Sequence, residues 1–205
     1  MAHDQARTVL GQRFQNPVLL AAGTAGFGRE VAGVINLERL GGLCTKAVSR
    51  EPRAGNRAPR VAEFAGGMLN SVGLANPGLA RIRDEQIPWL GAHVRIPRII
   101  VNVVGFVAED FAEVVSGLDE FAWITAFEIN LSCPNSNAGG LEFGADPRMV
   151  SNVIRLCAGR TRKPLLAKLS PALADIAGIA LVAREAGATG VSVVNTLPGY
   201  LACPE

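Results

Sequence analysis

The sequence predicts an α/β protein of the (β/α)8 barrel class, with about six of the eight βα units present. Three observations carry this expectation. Six short apolar runs are nearly continuous in hydrophobicity, as strands covered on both faces must be. Helical patterns alternate with them, which implies βαβ units and parallel pairing. Polar side chains that a buried strand should avoid recur near the same end of successive strands, where a barrel gathers its site residues.

The apolar runs cover 18–22, 42–48, 98–104, 126–131, Leu165–Leu169 and 190–195, most of them bounded by Gly or Pro. A first helix is expected over 30–40, with apolar residues at Val31, Val34, Ile35 and Leu37. A second, Ala108–Leu118, opens with Glu109 and Asp110, acidic residues that favour a helix N-terminus. Asp146 followed by Pro147 reads as an N-cap with proline in the first turn of a helix running to about Ala158. A last helix over 173–186 is stopped by Gly187. Two segments break the alternation. Residues 7–14 form a strand suited to plugging one end of a barrel. The long segment 50–74, rich in Gly, Pro and Arg, carries a hairpin strand at Val61–Phe64, and a loop of that length is usually functional. The expectation is a single partial barrel domain over 1–205.

Composition narrows the function. With 49% hydrophobic and 19% charged residues the chain can bury a core and is not disordered. A net charge of +2 without a basic run gives no support for nucleic-acid binding. The longest apolar run near the N-terminus is too short for a membrane span and a poor signal-peptide core, which favours the cytoplasm. Four dispersed cysteines, Cys44, Cys133, Cys157 and Cys203, with two histidines, His3 and His93, argue against a zinc site or a disulfide framework.

The polar residues at the strand ends define the candidate site. They are Ala22-Gly23-Thr24, Lys46, Asn102, then Glu128, Asn130, Ser132 and Cys133, then Lys168 and Ser170, and finally Asn195-Thr196. Buried lysines and asparagines are costly without partners, so their recurrence points to one shared site. Lys46 and Lys168 can offset negative charge developing on a planar cofactor or substrate. Asparagines donate and accept, which suits a heterocycle with alternating C=O and N–H groups. Cys133, read as lying on an exposed turn, is a candidate general base or nucleophile, against the alternative of a small buried packing residue. Cys44 and Cys157 read as packing, and Glu128 as a structural ion-pair partner. The glycines of Gly23-Thr24-Ala25-Gly26-Phe27-Gly28 do not fit the dinucleotide fingerprint G-x-G-x-x-G.

Taken together, the motifs resemble the dihydroorotate dehydrogenase family. They are Asn16-Pro17-Val18 into Ala21-Ala22-Gly23-Thr24, Thr45-Lys46, Pro52-Arg53-Ala54-Gly55-Asn56 with Pro59-Arg60, and Met68 through Gly78. Val101-Asn102-Val103, Glu128 through Asn135, Ala167-Lys168-Leu169-Ser170-Pro171 and Asn195-Thr196 continue the match in the same order. The resemblance implies a TIM barrel of the FMN-linked type that oxidises dihydroorotate to orotate in pyrimidine synthesis. A cysteine base implies the soluble first class. The wording around Thr45-Lys46 and Pro52-Arg53 resembles most the NAD-linked subclass, which works with a second subunit carrying FAD and an iron–sulfur cluster. A homo-oligomer is implied as well. Fumarate as electron acceptor stays open beside NAD.

Carried over residue by residue, the resemblance implies that Cys133 removes a proton from dihydroorotate. It implies substrate contacts from Lys46, Asn70, Ser71, Val72, Gly73, Leu74, Asn130, Asn195 and Thr196. It implies FMN contacts from Ala22, Lys46, Ala47, Asn102, Asn130, Lys168 and Val194, and no metal. Ala22 stands where the family often has Ser, and Ala47 where Gly is common. After Thr196 the likeness to the family ends, so strands seven and eight are expected to be absent, as in a truncated or frameshifted product. Weaker FMN binding and exposed strand edges follow from that expectation. Two other readings stay open: a dihydropyrimidine dehydrogenase-like flavoenzyme and a non-catalytic remnant.

Overall fold

Six parallel strands curl into a half-barrel, and helices cover its outer face. The computed structural model describes residues 5–133 and 142–202. In chain order the strands are β1 (Arg7–Val9), β2 (Gln12–Phe14), β3 (Leu19–Leu20), β4 (Gly42–Cys44), β5 (Val61–Phe64) and β6 (Gly67–Asn70). β7 (Arg98–Val103), β8 (Ile124–Asn130), β9 (Leu165–Leu169) and β10 (Gly190–Val193) follow. The main sheet has the order β10-β9-β8-β7-β4-β3, every pair parallel. Each strand thus lies beside the previous one in the main sheet's chain order, which is how successive βα units wind a barrel.

The sheet has two faces of different character. On the outer face Ile99, Val101, Val103, Phe127, Ile129, Leu165, Ala167 and Leu169 join one large core with the helices. On the inner face Cys44, Ile100 and Ala126 form a small cluster with Leu10, Ala22 and Leu166. β7, β8 and β9 are buried on both faces, so their apolar runs are continuous. β3 and β10 are edges, and here the expected burial fails. Leu19 is 40% exposed and Val193 68%, because neither strand has a neighbour on its outer side. The regular strands within 18–22 and 42–48 are also shorter than expected, β4 giving way after Cys44 to an isolated bridge between Val48 and Val103.

The helices are built as their ends suggest. α3 (Ala108–Leu118) buries Phe111, Val114, Val115 and Leu118, spaced for one face. Asp110 reaches back to accept from the backbone N–H of Phe106 and Val107. α4 (Pro147–Ala158) is capped by Asp146, whose carboxylate accepts from Arg148 N at 2.8 Å. α5 (Ile176–Glu185) starts later than 173, at the cap Asp175. It ends in paired bonds from Gly187 N to Arg184 O and from Ala188 N to Ala183 O, with Gly187 at φ +117°. That left-handed closure is why glycine follows the helix.

Three expectations are corrected. Residues 30–40 do not form a helix. One turn closes on Gly28 and Val31, and Asn36 at ψ 97° breaks it, leaving only a short 3-10 turn at Leu37–Arg39. Asn36 caps that turn with its own side chain, a local bond that competes with the helix, and Val34 stays 85% exposed. Residues 7–14 are a hairpin rather than one strand, turning at Leu10 and Gly11, and Leu10 packs on the inner cluster. A helical segment over 79–93, not anticipated, runs as α1 (Leu79–Arg81), a π turn (Ile82–Gln86) and α2 (Ile87–His93). Pro88 has no N–H and crowds the carbonyl one turn earlier, so the helix widens just before it while Ile82, Ile87 and Leu90 are still buried. No described helix is long and apolar enough to cross a membrane.

Candidate active site at the strand ends

The inner face changes from apolar to polar along the strand direction. Strand register sets this: Cys44 lies beside Ile100, Ile100 beside Ala126, and two residues on, Asn102 beside Glu128. One further step brings Asn130 beside Lys168. Because side chains alternate, Ala126, Glu128 and Asn130 share one face of β8. Glu128 Oε1 accepts from Asn102 Nδ2 at 2.6 Å and from Cys44 Sγ at 3.3 Å, and Lys168 Nζ lies 3.6 Å away. The Lys168 and Glu128 side chains are only 11% and 8% exposed. Burial beside this carboxylate raises the Cys44 thiol well above its ordinary range, desolvation being the larger cause. Cys44, read as packing, is thus a member of the polar network, and Glu128 is its centre.

One level nearer the mouth, Asn195 Nδ2 donates to Asn130 Oδ1 at 3.1 Å. Ser132 N donates to the same oxygen, and Thr196 bonds back to Asn195 Oδ1 through both its N–H and its hydroxyl. Val194 is 41% exposed beside this pair. Ser132 Oγ is buried without a hydrogen-bond partner among the described residues.

Cys133 follows directly but is not on an exposed turn. It is 1% exposed, and desolvation pushes its thiol up to about 12. The Glu142 charge adds to this rise, while the Gly105 backbone and the charges of Arg53 and Lys168 act in the opposite direction, more weakly than burial. The chain turns inward here because Cys133 O accepts from Phe143 N and Leu131 O from Gly144 N. Pro134 and Asn135 of the motif, like His3 and Cys203, lie outside the described residues.

The segment 70–74 is held by a network of its own. Asn56 Nδ2 donates to the hydroxyl and carbonyl of Ser71, and Asn56 N to Val72 O. Gly73 at φ +73° packs against Asn56, where a Cβ would sit 2.8 Å from its backbone nitrogen. Asn70 is exposed at the end of β6, and Leu74 packs on the main core. Asn76 fixes this segment to 49–53, bonding Ser49, Leu74 and Gly78, while Arg53 and Asn76 exchange backbone bonds. The Arg53 guanidinium lies 4.1 Å over the Phe106 ring, next to Gly105. Asn76 and Arg53 were not singled out as site residues. Their signal is the polar content of a long loop that must satisfy its own backbone.

Lys46 follows Thr45 at the end of β4, its N–H bonded to Gly26 O at 2.7 Å. Ala22 touches the inner cluster, whereas Ala47 packs on the main core. At Gly23 an added Cβ would meet nothing within 4 Å, so the end of β3 is open. The open end of β3, with the Lys168 ammonium ion and the Asn102 and Asn130 amides on the inner face, can take a flat, electron-poor ring bearing carbonyls, so the residues present fit a flavin. The surface concavity beside α2, lined by 32–38, Trp89 and His93, does not include any of these side chains.

The fold is a parallel, incomplete (β/α) barrel, and its buried polar side chains gather toward the C-terminal strand ends. The chain belongs to the dihydroorotate dehydrogenase family, whose description matches residues 5–202. The family is flavin-dependent. A Pelobacter propionicus protein named dihydroorotate dehydrogenase B (NAD(+)), catalytic subunit, is 42% identical over 199 residues, covering 97% of this chain and 65% of its own length. The protein of the same name from Geobacter sp. (strain M21) is 41% identical, with 96% and 64% covered. That from Desulforudis audaxviator is 44% identical, with 94% and 62% covered. The chain thus spans less than two thirds of the length of these relatives.

Proposed function

We propose that the chain carries the substrate face of an FMN-dependent dihydroorotate dehydrogenase, oxidising dihydroorotate to orotate in pyrimidine synthesis in the cytoplasm. The observation that supports this most is the layered inner face, where Asn102 and Glu128 stand one step below Asn130, and Lys168, in register beside Asn130, reaches the Glu128 carboxylate. Bound FMN would supply the two-electron oxidant that the conversion of dihydroorotate to orotate needs. Ala22, Lys46, Ala47, Asn102, Asn130, Lys168 and Val194 are the residues that would hold it. Asn130, Asn195 and Thr196 would orient the substrate from the sheet, with Lys46 beside them. Asn70, Ser71, Val72, Gly73 and Leu74 would cover it from the loop.

Cys133 is the proposed base for the C5 proton. To accept that proton its thiol must first lose one, and burial opposes this. Arg53 and Lys168 favour the thiolate, so they are part of the base's working environment. The relatives' names as catalytic subunits of NAD(+) enzymes support a partner subunit, proposed to carry FAD and an iron–sulfur cluster. The test is reconstitution with FMN. Yellow protein bleached by dihydroorotate supports the reading. Colourless protein that takes up no FMN overturns it, and bleaching by dihydrouracil instead would redirect it to uncharged pyrimidines.

A further inference from the structure

A single buried oxygen gathers groups from three strands. Glu128 is 6% exposed, and Oε1 faces Asn102 Nδ2 from β7, Cys44 Sγ from β4 and Lys168 Nζ from β9. A buried carboxylate is costly even when paired, and well-packed apolar side chains often serve stability as well or better. The layer beneath shows that solution, with Ile100, Ala126 and Leu166 in contact. The charge sits one step above it, at the level of the residues assigned to the flavin.

We propose that Glu128 is a positioning residue: it fixes the Lys168 ammonium ion and the Asn102 amide beneath the mouth and sets the net charge that a bound flavin meets. This rests on the flavin reading above. An ammonium ion held 3.6 Å from a carboxylate in a poorly screened interior presents less positive charge to a neighbour than a free one. Flavin reduction adds electron density, which an unopposed Lys168 would favour. Glu128 therefore restrains reduction and keeps the flavin able to pass its electrons on.

Two measurements on the 205-residue chain test this. The first needs no flavin. Reductive methylation of the Lys168 amine, followed by peptide mass spectrometry, should be at least fivefold faster in Glu128→Gln than in the wild type. Circular dichroism checks that the variant is folded, and a rate within twofold of wild type overturns the proposal. The second is the FMN midpoint potential. Glu128→Gln should favour the reduced state about tenfold, which for two electrons is about 30 mV more positive. A change below twofold overturns the effect on the flavin. If Gln does not fold, Glu128→Asp carries the test: its shorter reach should loosen Lys168 and speed methylation at least threefold, and an unchanged rate overturns. A wild type that takes up no FMN sinks the flavin reading, while methylation still decides whether Glu128 holds Lys168.

Discussion

Asn195 Nδ2 donates to Asn130 Oδ1 across the mouth, joining the loop after β10 to the end of β8 although β9 lies between them. Strand pairing alone does not connect these two elements. Asn195 is also anchored by its N–H to Leu169 O at 2.9 Å. The pair is therefore tied to the ends of β8 and β9, which suits groups that must orient a ligand.

Asn195→Ala should weaken orotate binding about tenfold, the loss of one to two net hydrogen bonds, with stability changed by less than ~1 kcal/mol. Asn130→Ala should cost both affinity and stability. It is 6% exposed and also accepts from Ser132 N, so truncation strands a donor. Calorimetric titration with orotate and urea unfolding separate the two effects. Wild-type affinity in Asn195→Ala would remove that residue from the substrate site.

Asn76 is 7% exposed, and its amide joins segments 49–53 and 74–78 through bonds to Ser49, Leu74 and Gly78. Asn76→Ala leaves several buried backbone groups unsatisfied, at a cost of about 2–4 kcal/mol. The loosening should be local to 50–78. Limited proteolysis should cut there first, and a variant cut elsewhere would contradict the assignment.

The sequence made the sheet and the mouth readable for one reason: a strand buried on both faces tolerates polar residues only where they have partners. That logic found Asn102, Asn130 and Lys168, while helix-capping chemistry marked the end of α5 at Gly187. It misjudged what depended on neighbours distant in sequence, and two local breaks in helical period. Cys133 sits between polar residues and reads as exposed, yet the return of Phe143 and Gly144 to Cys133 O and Leu131 O buries it. Glu128 reads as one ion-pair partner, but its role as centre depends on the register of four strands. Residues 30–40 carry a helical period that Asn36 breaks by capping a shorter turn. The segment 79–93 hides its period because the π turn before Pro88 shifts the apolar face.

Gly55 at φ +72° is a position where glycine is required. A Cβ would lie 2.4 Å from Val72 O and 2.7 Å from the Ala75 Cβ. Gly55→Ala would push on the segment proposed to cover the substrate and strain the left-handed backbone by about 1–2 kcal/mol. The expected result is turnover reduced about 10–100-fold with FMN uptake unchanged, since the displaced groups are those proposed to cover the substrate and not those proposed to hold the flavin. Stopped-flow flavin reduction checks this, and an unchanged rate would detach 72–75 from the site.

Buried thiols make stability depend on pH at the alkaline end. Burial pushes Cys157, on α4, up to about 12 from an ordinary value of 9.0. Below pH 9 folded and unfolded chains both keep this proton, so it adds no pH dependence. Between pH 9 and 12 the unfolded chain releases the proton and the folded chain retains it. Stability then falls by about 1.4 kcal/mol per pH unit for this thiol. Cys157→Ala removes that slope while losing about 1 kcal/mol of packing at pH 8. Urea unfolding of both proteins at pH 8, 9.5 and 10.5 should show the wild-type advantage shrinking and then reversing. Comparing the pair cancels the lysines and the tyrosine that titrate in the same range. An advantage that stays constant to pH 10.5 would mean that the thiol ionises as easily inside the protein as outside it.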